Sequence, residues 1–180
     1  MEIFEVTESH TNANLDKEEL YTYIDNTKFS DEIKEAIKGM LGVVISSGDN
    51  DINLDFDDLK VIMEHGGVAF VGSGEAYSKD SATEALKLAI KDSFLEFSLI
   101  DKVAGFLIHF VMHPDFPLMN IAEAMELINE NANYEADIIW GTTTDKTLDE
   151  NYVKATILFA GFDKEIYKNI VANNMDYEKQ

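Results

Sequence analysis

The feature that most constrains this fold is the alternation of strand-like and helix-like segments along most of the chain. Apolar runs rich in Val, Ile and Phe alternate with segments whose apolar residues recur every three or four positions. The last two strand-like segments meet across a short polar loop, from Thr144 to Asn151. We therefore predict an α/β (α+β) fold, in which helices pack on a four-stranded mixed sheet. The expected strands cover residues 67–77, 103–112, 136–143 and 153–160.

Polar residues predict where the helices between these strands begin and end. Ser81 with Glu84, and Asn120 with Glu123, have the spacing of a capping box, in which side chains satisfy free N–H groups of the first helical turn. Gly66 is placed to end an earlier helix in a left-handed conformation. The helices are thus expected to start at Ser81 and Asn120.

The segments outside this alternation divide the chain further. Ser30 reads as an N-cap for a helix with apolar residues at intervals of three and four, which predicts a long central-type helix within residues 30–48. Residues 1–29 form a leader with a weak strand at 2–6 and a short helix. We expect the main domain to cover 49–163. Residues 164–180 are expected to form a C-terminal helix or tail.

The charge of the chain excludes several classes of partner. There are 35 acidic residues and 14 basic ones, all of them lysine, so the formal net charge is −21. Nucleic acids and anionic membranes bind electropositive surfaces, so we expect neither as a partner. No apolar run approaches the ~18 residues of a membrane span, and no secretory leader opens the chain, which predicts a cytoplasmic protein without direct membrane insertion. The chain has no cysteine.

An acidic loop at residues 49–60 contains five aspartates and two asparagines. As a calcium loop it fails, because Leu54 stands where an EF-hand needs glycine and Lys60 where it needs a bidentate glutamate. As a helix start it fits well, with Asp55 as N-cap and Asp58 three residues later. A third interpretation is that Asn53, Asp55 and Asp58 act on a substrate. Weak cation binding by the acidic cluster remains an alternative, and no metal ligands are assigned.

Two other candidate sites have simpler structural explanations. The segment Gly72-Ser73-Gly74 lacks the lysine of a phosphate loop and the third glycine of a dinucleotide fingerprint, so we expect a strand-to-helix connection with unusual dihedral angles. His109 and His113 are four residues apart on an expected strand, which separates them by ~13 Å. One metal ion cannot bridge that distance. His65 is placed to interact with a helix dipole.

The segment 52–60 resembles the FtsZ/tubulin family, whose C-terminal domain carries an Asn-Leu-Asp-Phe-x-Asp signature after its long central helix. Residues 68–76 are similar to the family's Gly-Thr-Gly-Glu-Ala segment, and residues 138–142 to its Ile-Gly-Thr strand. The similarity extends over about residues 31–163. It implies a C-terminal domain of four strands with helices on one face. It also implies that three residues enter the nucleotide site of the next subunit in a protofilament and position water and cation there: Asn53, Asp55 and Asp58.

The family's glycine-rich phosphate loop does not occur in this sequence, and residues 1–30 are too few for a nucleotide-binding domain. The resemblance therefore implies a chain that neither binds GTP tightly nor forms a filament alone, with GTP and Mg²⁺ belonging to a partner subunit. A dissected half and a natural short relative both fit this pattern. The expected partner is an FtsZ-type GTPase subunit or another cell-division protein, and self-association is left open. The alternative is a non-catalytic acidic regulatory or interaction protein that kept only the fold.

Overall fold

The structure is a computed structural model that describes residues 4–5, 52–54, 56–93, 95–166 and 168. The predicted central-type helix, and nearly all of the leader and the C-terminal tail, lie outside the described residues. The described elements, in chain order, are β1 (Phe4–Glu5), α1 (Phe56–Glu64), β2 (Val68–Tyr77), α2 (Ser81–Asp92), a 3₁₀ helix (Phe97–Lys102), β3 (Gly105–Met112), α3 (Leu118–Asn131), β4 (Asp137–Thr144) and β5 (Tyr152–Phe162).

The strands form one mixed sheet in the order β1-β2-β5-β3-β4. β3 and β4 are parallel, whereas β5 is antiparallel to both of its neighbours. The predicted mixed sheet of four strands is confirmed, and the two-residue β1 extends it at one edge. β4 and β5 follow each other across a short loop, as expected, but they do not pair, because β3 lies between them. β3 and β5 are buried along nearly their whole length, which suits the centre of a sheet, whereas β4 is half-buried and lies at the other edge.

The helical face of the sheet, as we name the side covered by α2 and α3, holds the larger apolar core. Both helices follow the expected period, with their buried residues three and four positions apart. Phe106 and Phe159 meet edge to face in the centre of the sheet, with ring centroids 5.5 Å apart. The core thus depends on the two central strands.

The opposite face of the sheet, which we name the loop face, is covered by α1 and the segment before it. Ile62 of α1 packs there with Leu54, Leu107 and Leu158 in a second, smaller core. The resemblance implied helices on one face only, and this is wrong for α1. Because the central strands are apolar on both sides, they need a cover on each face.

Both predicted capping boxes are wrong. Asp80, with no side-chain cap bond, is the N-cap of α2, and the Glu84 carboxylate instead accepts a hydrogen bond from the Ser78 hydroxyl at 2.9 Å. α3 begins at Leu118, directly after a proline at its N-cap position. The Asn120 side chain lies within the first turn and donates to the carbonyl of Lys79 at 3.0 Å. These polar side chains tie the loops to the helices.

Gly72 and Gly74 lie inside β2, so the predicted strand-to-helix connection is wrong as well. Neither has a positive φ. A Cβ on Gly72 would lie 2.6 Å from the backbone nitrogen of Ser93, and one on Gly74 would lie 2.6 Å from that of Ala89. The glycines therefore let the backbone of α2 rest directly on the strand. Gly66 follows α1 with φ 63°, as predicted.

Candidate functional site

Residues 52–54 are held against β4 by two hydrogen bonds. The backbone N–H of Ile52 donates to the hydroxyl of Thr142 at 3.0 Å. In return, the backbone N–H of Thr142 donates to the carbonyl of Ile52 at 2.9 Å. Thr142 is buried, so this contact fixes the loop to the edge of the sheet.

The next anchor is apolar. Leu54 is only 4% exposed and packs into the core of the loop face. The loop lies so close to the sheet that a Cβ on Gly141 would be 2.5 Å from the carbonyl oxygen of Ile52 and from Cγ of Leu54. Asn53, between the two anchors, is exposed. The loop thus presents one amide side chain to solvent from a fixed backbone.

The other predicted site residues lie where the loop enters α1. Asp57 is exposed and Asp58 partly buried, both in the first turn of the helix, where carboxylates complement the positive end of the helix dipole. Asp55 lies outside the described residues, so its predicted roles as N-cap and site residue stay predictions. The structure therefore brings Asn53 and Asp58 to one junction between loop and helix.

Exposed apolar residues lie at the same end of the sheet as this junction. The parallel strands β3 and β4 both run toward that end, and α3 starts there shortly after β3. Its first two residues, Leu118 and Met119, are 55% and 68% exposed, and Tyr77 at the end of β2 is 69% exposed. Sequence reasoning missed these exposed residues. The available signal was that Met119 is out of phase with the buried stripe of α3, which begins at Ile121, whereas Leu118, three residues before Ile121, is in phase with that stripe and gave no such signal.

The three described histidines are held by separate partners. Nε2 of buried His109 lies 3.1 Å from the Thr143 hydroxyl, and Nδ1 of His113 accepts the backbone N–H of Asp115 at 3.1 Å. His65 follows α1, and its Nε2 lies 2.9 Å from a carboxylate oxygen of Asp137. In the described part of the chain, no three His, Asp or Glu side chains are grouped so that they could hold a metal ion.

Two side chains at this end of the sheet have shifted acidities. The hydroxyl and backbone N–H of Thr147 donate to the Asp145 carboxylate and lower its pKa. Burial raises the pKa of Tyr152 to about 12, and the nearby negative charge of Glu75 adds to the rise. Asp145 caps a turn and Tyr152 lines the sheet. Both shifts follow from structural roles.

Comparisons with known proteins identify the family and the fold. The model of the FtsZ family, C-terminal domain, matches residues 67–163, more than half of the chain. The chain is also 32% identical over 175 residues to cell division protein FtsZ 1 of Methanocaldococcus jannaschii, which covers 92% of this chain and 47% of that protein. The chain belongs to the FtsZ family. It corresponds to the C-terminal domain of that family.

Another FtsZ relative and a solved FtsZ structure are also similar to this chain. Cell division protein FtsZ of Helicobacter pylori (strain J99) is 30% identical over 151 residues, covering 84% of this chain and 37% of that protein. The solved FtsZ dimer of M. jannaschii superposes with a TM-score of 0.61 at 32% identity, over 81% of this chain and 43% of that one.

A type III plasmid segregation TubZ reaches the same TM-score, 0.61, at 10% identity, over 96% of this chain and 44% of that one. At this identity the likeness shows a shared fold alone. The chain spans less than half the length of these curated FtsZ relatives. Among the described residues, no helix is both long and apolar enough to cross a membrane.

Proposed function

We propose that this chain is an FtsZ-type assembly module of the cytoplasm, whose loop at residues 52–58 completes a GTPase site on a neighbouring subunit in trans. The observation that carries the proposal is the exposed Asn53 between anchored Ile52 and buried Leu54. A side chain that acts on a partner's nucleotide has to reach out of its own core from a fixed position. Asn53 meets both requirements.

The exposed apolar residues Tyr77, Leu118 and Met119 support a subunit contact at the same end. Protein interfaces combine a desolvated apolar centre with a polar rim. A neighbour that covered these residues would lie at the end of the sheet where Asn53 and Asp58 also lie. Contact and chemistry would then share one end of the domain.

In the proposed complex, GTP and Mg²⁺ belong to the partner subunit, and Mg²⁺ neutralises charge on the phosphates. This chain contributes oriented polar groups, since phosphoryl transfer depends mainly on positioning and electrostatic stabilisation. The amide of Asn53 would orient the attacking water. The carboxylate of Asp58 would accept a hydrogen bond from that water or from a water held by the cation. On the resemblance to the family, we assign Asp55 a role in positioning the same water and cation.

The test adds the purified chain to a full-length FtsZ-type GTPase with GTP and Mg²⁺, and measures phosphate release and sedimentation. The effect on turnover should rise with chain concentration and saturate. Asn53→Ala and Asp58→Ala should each reduce it about a hundredfold, the order expected when one positioned polar group is lost. Asp57→Ala is the matched control, because Asp57 occupies the variable position of the signature in the same helical turn.

The second candidate is a regulatory protein that kept the fold without the chemistry. It is favoured by the first turn of α1, where Asp57 and Asp58 complement the helix dipole and so have a structural use. In that case Asp58→Ala costs up to about 1 kcal/mol of stability and leaves partner turnover unchanged. If neither turnover nor sedimentation responds at high chain concentration, the assembly proposal is wrong.

A further inference from the structure

Among the described residues, the outer edge of β2 has a paired strand over only a small part of its length. β5 pairs with one side of β2 from Val68 to Tyr77. On the other side, within the described residues, only β1 pairs with it, and only at Val68 and Ala69. In the described part of the chain, the stretch from Val71 to Tyr77 therefore has about 23 Å of strand edge that no other described strand pairs with.

The direction of the backbone groups on this edge follows from one hydrogen bond. The N–H of Ser73 donates to the Asp92 carboxylate of α2 at 2.9 Å, so it points away from β5. In an antiparallel pair this direction alternates with every residue. The N–H and C=O groups of Val71, Glu75 and Tyr77 therefore also point outward, where an added strand would meet them.

A groove runs between this edge and the outer flank of α2. α2 lies close to the strand because Gly72 and Gly74 carry no side chains. The groove has a volume of about 490 Å³, and its lining includes Leu88, Lys91 and Asp92. Leu88 is 46% exposed, although it is a large apolar residue, and Lys91 is also exposed. The groove thus offers an apolar contact and a positive charge beside an open strand edge.

We propose that the edge of β2 and this groove bind an extended segment of a partner protein, which adds to the sheet as a further strand. Such binding uses main-chain hydrogen bonds for affinity and alternate side chains for specificity. An apolar side chain opposite Gly74 would contact Leu88, and an acidic side chain opposite Gly72 would approach Lys91. The pairing of β1 farther along the same edge supports this, because it occupies the edge in the same manner.

Charge favours a partner segment over a second copy of this chain. Two copies joined edge to edge in the register centred on Glu75 would place their Glu75 carboxylates opposite each other, which is destabilising in a sheet. Each copy also carries a net charge of −21. Apart from the one acidic side chain near Lys91, the segment should therefore be neutral or basic. The Asp92 carboxylate occupies the N–H of Ser73 until an incoming strand displaces it.

The experiment selects binders from a phage-displayed library of random linear peptides on the immobilised full chain. Enriched peptides should carry an apolar and an acidic residue two positions apart, so that both side chains lie on the same face of the added strand. An enriched peptide, labelled for fluorescence anisotropy, should slow amide exchange of Val71, Glu75 and Tyr77 by about tenfold or more. Amides on the other outer strand, such as those of Ile138 and Trp140, should keep their exchange rates.

Variants test the pairing directly. Glu75→Pro removes an outward N–H without removing a bond to β5, since proline is tolerated on edge strands in that orientation. It should weaken peptide binding by about tenfold, whereas Glu75→Ala, which keeps the N–H, should stay within about twofold. Leu88→Glu should also weaken binding by about tenfold. Asp92→Ala should tighten it, because the N–H of Ser73 is then free.

Several results would overturn this inference. They are a failure to enrich any peptide with this spacing, binding that Glu75→Pro leaves unchanged, and exchange protection that appears on β4 instead. Sedimentation of the chain alone gives a further test. Concentration-dependent dimers that Glu75→Pro abolishes would assign the edge to a second copy and reject the partner segment. Circular dichroism and thermal unfolding of each variant separate lost binding from lost folding.

Discussion

Ile52 and Thr142 exchange two hydrogen bonds, one to the threonine hydroxyl at 3.0 Å and one between backbone groups at 2.9 Å. They are ninety residues apart in the chain. The position of Asn53 is therefore set by a strand near the end of the domain as well as by the helix that follows the loop. The site that we propose depends on the whole sheet being folded.

Thr142→Val should loosen the loop while the core stays packed. Valine has nearly the shape of threonine but cannot accept the N–H of Ile52, so we expect a loss of about 1 kcal/mol in the free energy of unfolding. Urea denaturation measures this loss. Amide exchange at Ile52 should become faster. Thr142→Ser keeps the hydroxyl and should preserve the slow exchange; equally fast exchange in both variants would contradict the role of this bond.

Gly141→Ala should displace the loop by steric pressure. The new methyl group would lie 2.5 Å from the Ile52 carbonyl and from Leu54, and overpacking of this kind costs about 1–3 kcal/mol. If our proposal is right, the effect on a partner's GTP turnover should fall even where the variant remains folded. Gly66→Ala is the control. Its φ of 63° makes it cost about 1–2 kcal/mol, yet no atom lies near its new Cβ, so turnover should be retained.

The sequence predicted the mixed four-stranded sheet because the strands and helices of this domain have clear periods. It did not predict the strand order, since neighbours in a sheet depend on contacts between distant residues. The glycines of β2 likewise could not be interpreted from the local sequence alone. Gly72 and Gly74 resemble a turn when read locally, whereas the reason for them is α2 lying on their backbone.

The candidate site could be predicted only in part, for a similar reason. The signature at residues 52–58 predicted Asn53 and Asp58 as site residues, and the structure places Asn53 just before α1 and Asp58 in its first turn. Nothing local indicated that Thr142 holds the loop, because a threonine in a strand is ordinary. The exposed Leu118 was also missed, since it is in phase with the buried residues of α3 and only the position of α3 in the fold shows that it remains uncovered.

Gly74→Ala should destabilise the domain far more than an ordinary strand substitution. Its Cβ would meet backbone atoms of α2, including the nitrogen of Ala89 at 2.6 Å. A backbone contact cannot be relieved by a rotamer change, so the helix has to move off the sheet at a cost of about 3 kcal/mol. Thermal unfolding checks this against Ser73→Ala, whose side chain points to the other face. Similar melting temperatures for the two variants would contradict the close approach of α2.

Tyr152 should make the domain lose stability at high pH. Its pKa in the folded protein is about 12, compared with 10.0 for the free side chain, chiefly because the phenol is buried and also because Glu75 is negative. Between pH 10 and 12 the unfolded chain releases this proton while the folded protein keeps it. The unfolded state then binds fewer protons, so the free energy of unfolding falls as the pH rises.

This contribution to stability is present in full below pH 10 and is lost by about pH 12. Urea denaturation across this range measures the loss. Tyr152→Phe keeps the ring packed against Tyr77, whose centroid lies 4.8 Å away in the native protein, but has no proton to release. Because lysines titrate in both proteins, the difference between their pH profiles isolates Tyr152. Parallel profiles would show that the phenol titrates alike in the folded and unfolded chains.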